Sequence, residues 1–184
     1  MKVMKNKKVK QLLKLDLGCG PNKREGFFGV DVRKFKGVDK IVDLIKTPWP
    51  WAKESVSEIH ASHFVEHLTA EQRIDFCNEA WRILVPGGTC QIITPHWSSC
   101  RAYGDLTHQW PPVSEFWFFY LNEEWRAKNA PHNDLYKCNF EATWGYAMRG
   151  DLGIRSQEYQ QFAMANYKEV CEDIIATITK KPLL

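Results

Sequence analysis

No apolar stretch in these 184 residues approaches the roughly 20 needed to span a bilayer, and the lysine-rich start lacks the apolar segment of a signal peptide. A membrane span is therefore not expected, and a cytoplasmic setting is. No Cys-x-x-Cys pair occurs among the six cysteines (Cys19, Cys77, Cys90, Cys100, Cys138 and Cys171), which argues against a zinc module and offers no disulfide framework. Charge of one sign is also missing. The 25 Lys and Arg face 22 Asp and Glu, and a formal balance of +3 is too small to argue for a nucleic-acid partner. The local excess lies at one end, where Lys2, Lys5, Lys7, Lys8, Lys10 and Lys14 crowd together, and residues 1–10 read as a solvated basic tail. Repeats and low-complexity segments are absent, and the length suits one domain, 1–184, with a sizeable core.

What is present starts with Leu12 to Leu17, an apolar run stopped by Gly18 and Gly20. Those glycines let the backbone turn sharply and approach a ligand with no side chain in the way. A second apolar run, Phe27 to Val30, ends on Asp31. Two successive parallel strands with a carboxylate ending the second place an acceptor for ribose hydroxyls in an open sheet. A nicotinamide site needs a further glycine three positions after Gly20, and Lys23 stands there. It also needs a helix whose N-terminus holds a pyrophosphate. Only Pro21 to Gly26 separate the two runs, so the crossover is a loop and the reading is an adenosyl cofactor instead.

Asp16-Leu17-Gly18-Cys19-Gly20 resembles the first motif of class I S-adenosylmethionine-dependent methyltransferases, of the small, type 11-like kind, and Asp31 resembles their acidic ribose-binding residue. Ile41-Val42-Asp43-Leu44 resembles the end of their third strand. Ser57 to Leu68 resembles the fourth strand and its exit, and Ile83 to Thr89 the turn into the fifth. The resemblance covers about the first half of the chain. It implies an α/β, Rossmann-like sheet of seven mostly parallel strands with an antiparallel C-terminal strand and reduced helices.

The remaining elements follow from pattern. Val56, Ile59 and Ala61 mark a short buried strand. Thr69-Ala70-Glu71-Gln72 satisfies the capping box, and Ile74, Cys77, Trp81 and Leu84 recur at helical spacing up to Pro86-Gly87-Gly88. Thr89 to Thr94 reads as the fifth strand, stopped by Pro95. Residues 95–133 form an aromatic-rich insertion with one helix near Ser114 to Asn122, either a substrate-side cover or rings that fill a thin core. Cys138 to Arg149 alternates as a half-buried strand, Gln157 to Tyr167 reads as a helix, and Val170 to Lys180 as the terminal strand.

The resemblance implies S-adenosylmethionine as cofactor and S-adenosylhomocysteine as product. Asp16 would orient the methionine amino group, and Gly18 and Gly20 would pass beneath the methionine portion, flanked by Leu17, Cys19 and Asn22. Asp31 with Val32 would hold the ribose, Asp43 and Leu44 would border the adenine, and backbone near Ser62 and His63 would accept from the amino group. Methyl transfer from a sulfonium gains most from alignment, so no catalytic triad is required. A base for a hydroxyl or amine acceptor would come from Glu66, His67 or His108, the last within Asp105-Leu106-Thr107-His108. No metal is expected, since His60 belongs to the strand and His63, Glu66 and His67 give no clear tetrahedral set.

The fourth strand ends without the Pro-Pro-aromatic motif of nucleobase amine methylation, and no Pro-Cys pair serves cytosine C5, so base methylation is disfavoured. An unidentified small molecule or a flexible group on a larger partner is the expected acceptor. A cofactor-binding protein without transfer activity, and an aminopropyl transferase or lyase on the same sheet, are the alternatives. Oligomeric state, and bacterial or viral origin, are not legible.

Overall fold

The computed structural model describes residues 12–184; the basic tail expected at 1–10 lies outside the described residues. Among the described residues seven strands form one sheet: β1 (Leu13–Leu17), β2 (Phe28–Asp31), β3 (Lys40–Ile41), β4 (Val56–Ser62), β5 (Leu84–Pro95), β6 (Phe140–Met148) and β7 (Cys171–Lys180). Their spatial order is β3-β2-β1-β4-β5-β7-β6. β1 to β5 are mutually parallel, and β7 runs antiparallel to β5 on one side and β6 on the other. The Rossmann-like α/β sheet expected from the sequence is the one that forms.

Helices are few because the crossovers are short. Loops alone connect β1 to β2, β2 to β3 and β3 to β4. The long crossover helix is α1 (Ala70–Ile83), between β4 and β5. Thr69 caps it as expected: its hydroxyl accepts from the Gln72 amide at 3.3 Å, and the Gln72 side chain accepts from the Thr69 amide at 3.0 Å. The buried face differs from the expected one. Phe76, Cys77, Ala80 and Ile83 face the core, whereas Ile74 and Trp81 are half-buried. Leu84 has already left the helix as the first residue of β5, whose pairing with β4 is irregular between Val56 and Glu58, so Pro86-Gly87-Gly88 lies within that strand rather than ending the helix.

The pairing registers sort the strands into two faces. Leu15, Ile59, Cys90, Ile178 and Ala142 lie side by side across five strands and pack into the core. One residue further on β1, β4 and β5, the next row reads Asp16, His60, Gln91, Thr177 and Thr143. This row is polar, so the sheet alternates as a half-covered one does, although most of its strands are parallel. Arg24 lies against it, its Nη1 donating to Gln91 Oε1 at 2.8 Å and meeting His60 Nδ1 at 3.0 Å.

The aromatic insertion holds three short helices instead of the one expected, α2 (Arg101–Gly104), α3 (Glu115–Phe119) and α4 (Glu123–Asn129). Some of its rings fill the core and others do not. Phe118 is buried, stacking on Trp144 at 5.9 Å, and Trp117 packs on the core, whereas Trp97, Tyr103, Trp110 and Phe116 stay exposed. The last helix, α5 (Gln157–Asn166), lies between β6 and β7 near its expected position.

Candidate cofactor site

The order of strands reverses between β1 and β4, and in open α/β sheets ligands bind outside the carboxyl ends of the strands at such a point. The segments leaving β1, β2, β3 and β4 surround a cleft of about 550 Å³ there. Gly18 lines it from β1, Asp31 and Val32 from β2, Asp43 and Leu44 from the segment after β3, and His63 and His67 from the segment after β4.

The glycine loop is held against β2. Gly18 and Cys19 amides donate to the Val30 carbonyl at 2.8 and 3.2 Å, with Gly18 at φ +69° and Gly20 at +52°. A Cβ on Gly18 would lie 2.5 Å from Phe64 Cδ2, so the loop passes under the Phe64 ring only because position 18 has no side chain. Asp31 completes the turn. Its Oδ2 accepts from the Gly20 amide at 2.9 Å and its Oδ1 from the Arg33 amide at 2.8 Å. A carboxylate has about four lone-pair sites. One on each oxygen therefore remains for hydroxyls.

The opposite wall is apolar and open. Val32, Ile45 and Phe35 are 59%, 49% and 36% exposed on the cleft, beside the buried Leu44. Asp43 pairs with Lys46 Nζ at 3.1 Å, and its Oδ1 accepts from the Ile45 amide at 3.4 Å, which folds this short segment onto itself. A carboxylate with a lone pair left on each oxygen, an exposed apolar wall and a glycine at the turn suit an adenosyl group.

Six of the residues expected at the cofactor do not line the cleft. Asp16 is buried, with its Oδ2 accepting from the Arg24 amide at 2.7 Å, so it closes the glycine loop from the polar face of the sheet. Burial raises its carboxyl, against the Arg24 amide and nearby positive groups. Leu17 is fully buried in the core, and Ser62 is half-buried at the end of β4. Gly20 acts through its amide on Asp31, and Asn22 is exposed, donating its amide to the Cys19 carbonyl at 3.2 Å. Burial and the neighbouring Asp16 and Asp31 push the Cys19 thiol up to about 11, which keeps it protonated. Sequence reasoning missed Phe64, Phe35 and Ile45; the signal for Phe64 was its place two residues beyond the end of β4 at Ser62.

The three base candidates come together. Glu66, His67 and His108 each bring one ligating atom within 4.8 Å of the others, and the two imidazoles meet edge to face at 4.8 Å. Glu66 itself is buried, its Oε2 accepting from the Thr94 hydroxyl at 3.1 Å and its Oε1 lying 3.2 Å from His63 Nδ1. Both oxygens are thus engaged. The hydrogen bond to Glu66 is the main cause of a raised His63 imidazolium, which sits in the left-handed backbone region at φ +51°. His67 Nδ1 lies 3.0 Å from the Thr107 hydroxyl, and that hydroxyl lies 2.7 Å from Asp105 Oδ1. A carboxylate only accepts, so the hydroxyl hydrogen goes to Asp105, and His67 must donate Nδ1–H to Thr107. Nε2 is then the nitrogen with the lone pair.

No protein-family model and no curated protein sequence matches this chain. Solved structures do. A SAM-dependent methyltransferase from Archaeoglobus fulgidus superposes with a TM-score of 0.67 at 21% identity, covering 94% of this chain and 87% of that one. Geranyl diphosphate C-methyltransferase from Streptomyces coelicolor A3(2), solved with Mg2+, geranyl diphosphate and S-adenosylhomocysteine, gives 0.55 at 14% identity over 94% and 73%. A further S-adenosylmethionine-dependent methyltransferase, from Mesorhizobium loti, gives 0.51 at 15% over 92% and 91%. By strand order, glycine loop and these likenesses, the chain has the fold of the class I S-adenosylmethionine-dependent methyltransferases.

Proposed function

We propose that the chain is an S-adenosylmethionine-dependent methyltransferase acting on a small molecule or a flexible group. The observation that carries this is Asp31, anchored by two backbone amides with a lone pair left on each oxygen, between the glycine loop and an open apolar wall. Asp31 would hold the ribose hydroxyls, Val32, Ile45 and Leu44 the adenine, and the Gly18 turn the methionine arm. When bound, S-adenosylmethionine supplies a methyl group on a sulfonium leaving group. The protein's task is to orient the acceptor and take its proton, and His67 is the side chain placed for that. It lines the cleft with its Nε2 lone pair set by the Thr107–Asp105 chain. Glu66 is a positioning residue, since both of its oxygens are already used.

Asp31→Ala should weaken S-adenosylhomocysteine binding roughly ten- to a hundredfold, the value of hydrogen bonds to a charged group, with an unchanged circular dichroism spectrum. Calorimetry with unchanged affinity would remove the ribose assignment. His67→Gln should keep that affinity and lose transfer of labelled methyl into fractionated cell extract. Retained transfer would take the base role from His67, and recovery of an aminopropyl or lyase product in place of a methylated one would overturn the reaction class.

A further inference from the structure

We propose that a groove lined by Trp97, Tyr103, Trp110, Phe116 and Glu115 binds an alkylammonium group, and that this is the acceptor side of the site. Its role as acceptor subsite rests on the methyl-transfer reading, whereas the binding itself does not. The groove encloses about 560 Å³, and its rings come from the segment after β5, from α2, from the loop that follows and from α3. Trp97, Tyr103, Trp110 and Phe116 are 40%, 47%, 76% and 61% exposed. Large rings left open in one concavity, while Phe118 beside them is buried, mark a place for a ligand. Two of them are fixed by the backbone: the Tyr103 hydroxyl donates to the Trp97 carbonyl at 2.6 Å, and the Trp97 amide to the Val113 carbonyl at 2.9 Å.

Charge selects the ligand. Glu115 Oε1 accepts from Tyr146 at 2.8 Å and lies 3.0 Å from His96 Nε2. The Ser98 amide donates to His96 Nδ1 at 3.4 Å, and the Ser98 hydroxyl lies 2.8 Å from the same atom. With Nδ1 as the acceptor, the hydrogen on Nε2 orients Glu115. Burial alone would raise this carboxyl, but the hydrogen bonds from His96, from its own backbone amide and from Tyr146 bring it down to about 2. No lysine or arginine lines the groove among the described residues. Aromatic faces around an ionised carboxylate attract a cation, and quaternary ammonium groups are bound in this way. A neutral sugar could stack on the rings but would gain nothing from the carboxylate's charge.

One loop connects the groove with the cofactor cleft. Thr107 borders the cleft and Trp110 the groove, on one loop whose Gln109 and Pro111 carbonyls accept from the buried Arg73 guanidinium.

Choline is the probe, with 3,3-dimethylbutan-1-ol as its uncharged isostere. Tryptophan fluorescence and calorimetry should show saturable choline binding, with the isostere at least about tenfold weaker. Glu115→Gln should weaken choline at least about tenfold. Because that change also touches His96 and Tyr146, Trp110→Ala serves as a second variant with its own expected loss. Trp110→Ala should leave S-adenosylhomocysteine affinity as in the wild type. Equal binding of choline and its isostere, saturable binding of methyl glucoside in their place, choline binding that survives both substitutions, or no saturation by choline would each overturn the proposal. Choline binding without any S-adenosylhomocysteine binding would instead defeat the methyltransferase reading and leave the groove standing.

Discussion

Gly18 and Gly20 share a left-handed backbone but not a neighbourhood, which separates conformational cost from steric cost. A methyl group at position 20 meets nothing within 4 Å, whereas at position 18 it falls 2.5 Å from the Phe64 ring. Gly20→Ala should therefore lose only the backbone part, about 1 kcal/mol, and Gly18→Ala should lose roughly 2–3 kcal/mol while displacing Phe64 from the cleft wall. Urea unfolding of the two variants makes the comparison, and equal losses would show that Phe64 does not constrain the turn. His63 carries a pH dependence of its own. Its hydrogen bond to Glu66, helped by the charges of Glu66 and Asp173 and opposed by burial and Arg101, raises its folded-state pKa above the ordinary imidazole value. A group raised on folding gives stability that is fully present below its unfolded pKa and lost as pH rises through the folded one. The contribution of His63 should thus fade above about pH 6.5, the unperturbed histidine value. Glu66→Gln should bring the His63 titration, followed by NMR, down toward that value; an unmoved titration would assign the shift to Asp173 instead.

At the level of elements, the start of α1 and the segment it grips differ in how far the sequence reveals them. The capping box is a local pattern, and Thr69→Ala should cost about 1 kcal/mol in thermal or urea unfolding, as the loss of such a cap does. Arg73, one turn later, is invisible to local pattern. Its side chain is buried and donates to the Val65 carbonyl at 2.9 Å, to Gln109 at 3.0 Å and to Pro111, joining α1 to the loop between cleft and groove. Periodicity marks position 73 as a polar residue between apolar ones and gives no hint of what lies above it. Arg73→Met keeps most of the volume but leaves the Gln109 and Pro111 carbonyls without their donor. It should open residues 105–112 to limited proteolysis, since a hydrogen bond from a charged donor contributes about 1.5–3 kcal/mol. Protection equal to the wild type would mean that the loop is held by its other contacts, such as the Gln109 amide on the Glu66 carbonyl. The three short helices of the insertion escaped the sequence for a related reason: their rings pack on each other and on β6, so helical spacing does not sort buried from exposed.

For the molecule as a whole, the sheet was legible because the ends of β1, β2 and β3 lead into distinctive residues in chain order: the Gly18 turn, Asp31 and Asp43. Which oxygen or amide each one uses was not legible. Asp16 faces Arg24 and the polar row, because its neighbours in the sheet, Gly29 and His60, are set by register and not by distance along the chain. The short crossovers that leave one sheet face polar also leave stability resting on a single covered face, and a ligand that joins the segments after β1, β2, β3 and β4 should then stabilise the fold globally. Binding to the native state alone adds about 2.7 kcal/mol at a ligand concentration 100 times the dissociation constant. For a domain of this size each kcal/mol moves the melting temperature by about 2–4 °C, so S-adenosylhomocysteine should raise it by about 5–10 °C. Nicotinamide adenine dinucleotide should leave it unchanged, because the loop from Pro21 to Gly26 has no helix to hold a pyrophosphate. The stabilisation should shrink to about 0.4–1.4 kcal/mol, a shift of about 1–6 °C, in Asp31→Ala, which ties it to the ribose acceptor; a dinucleotide shift as large as the nucleoside one would place the wrong ligand in the cleft.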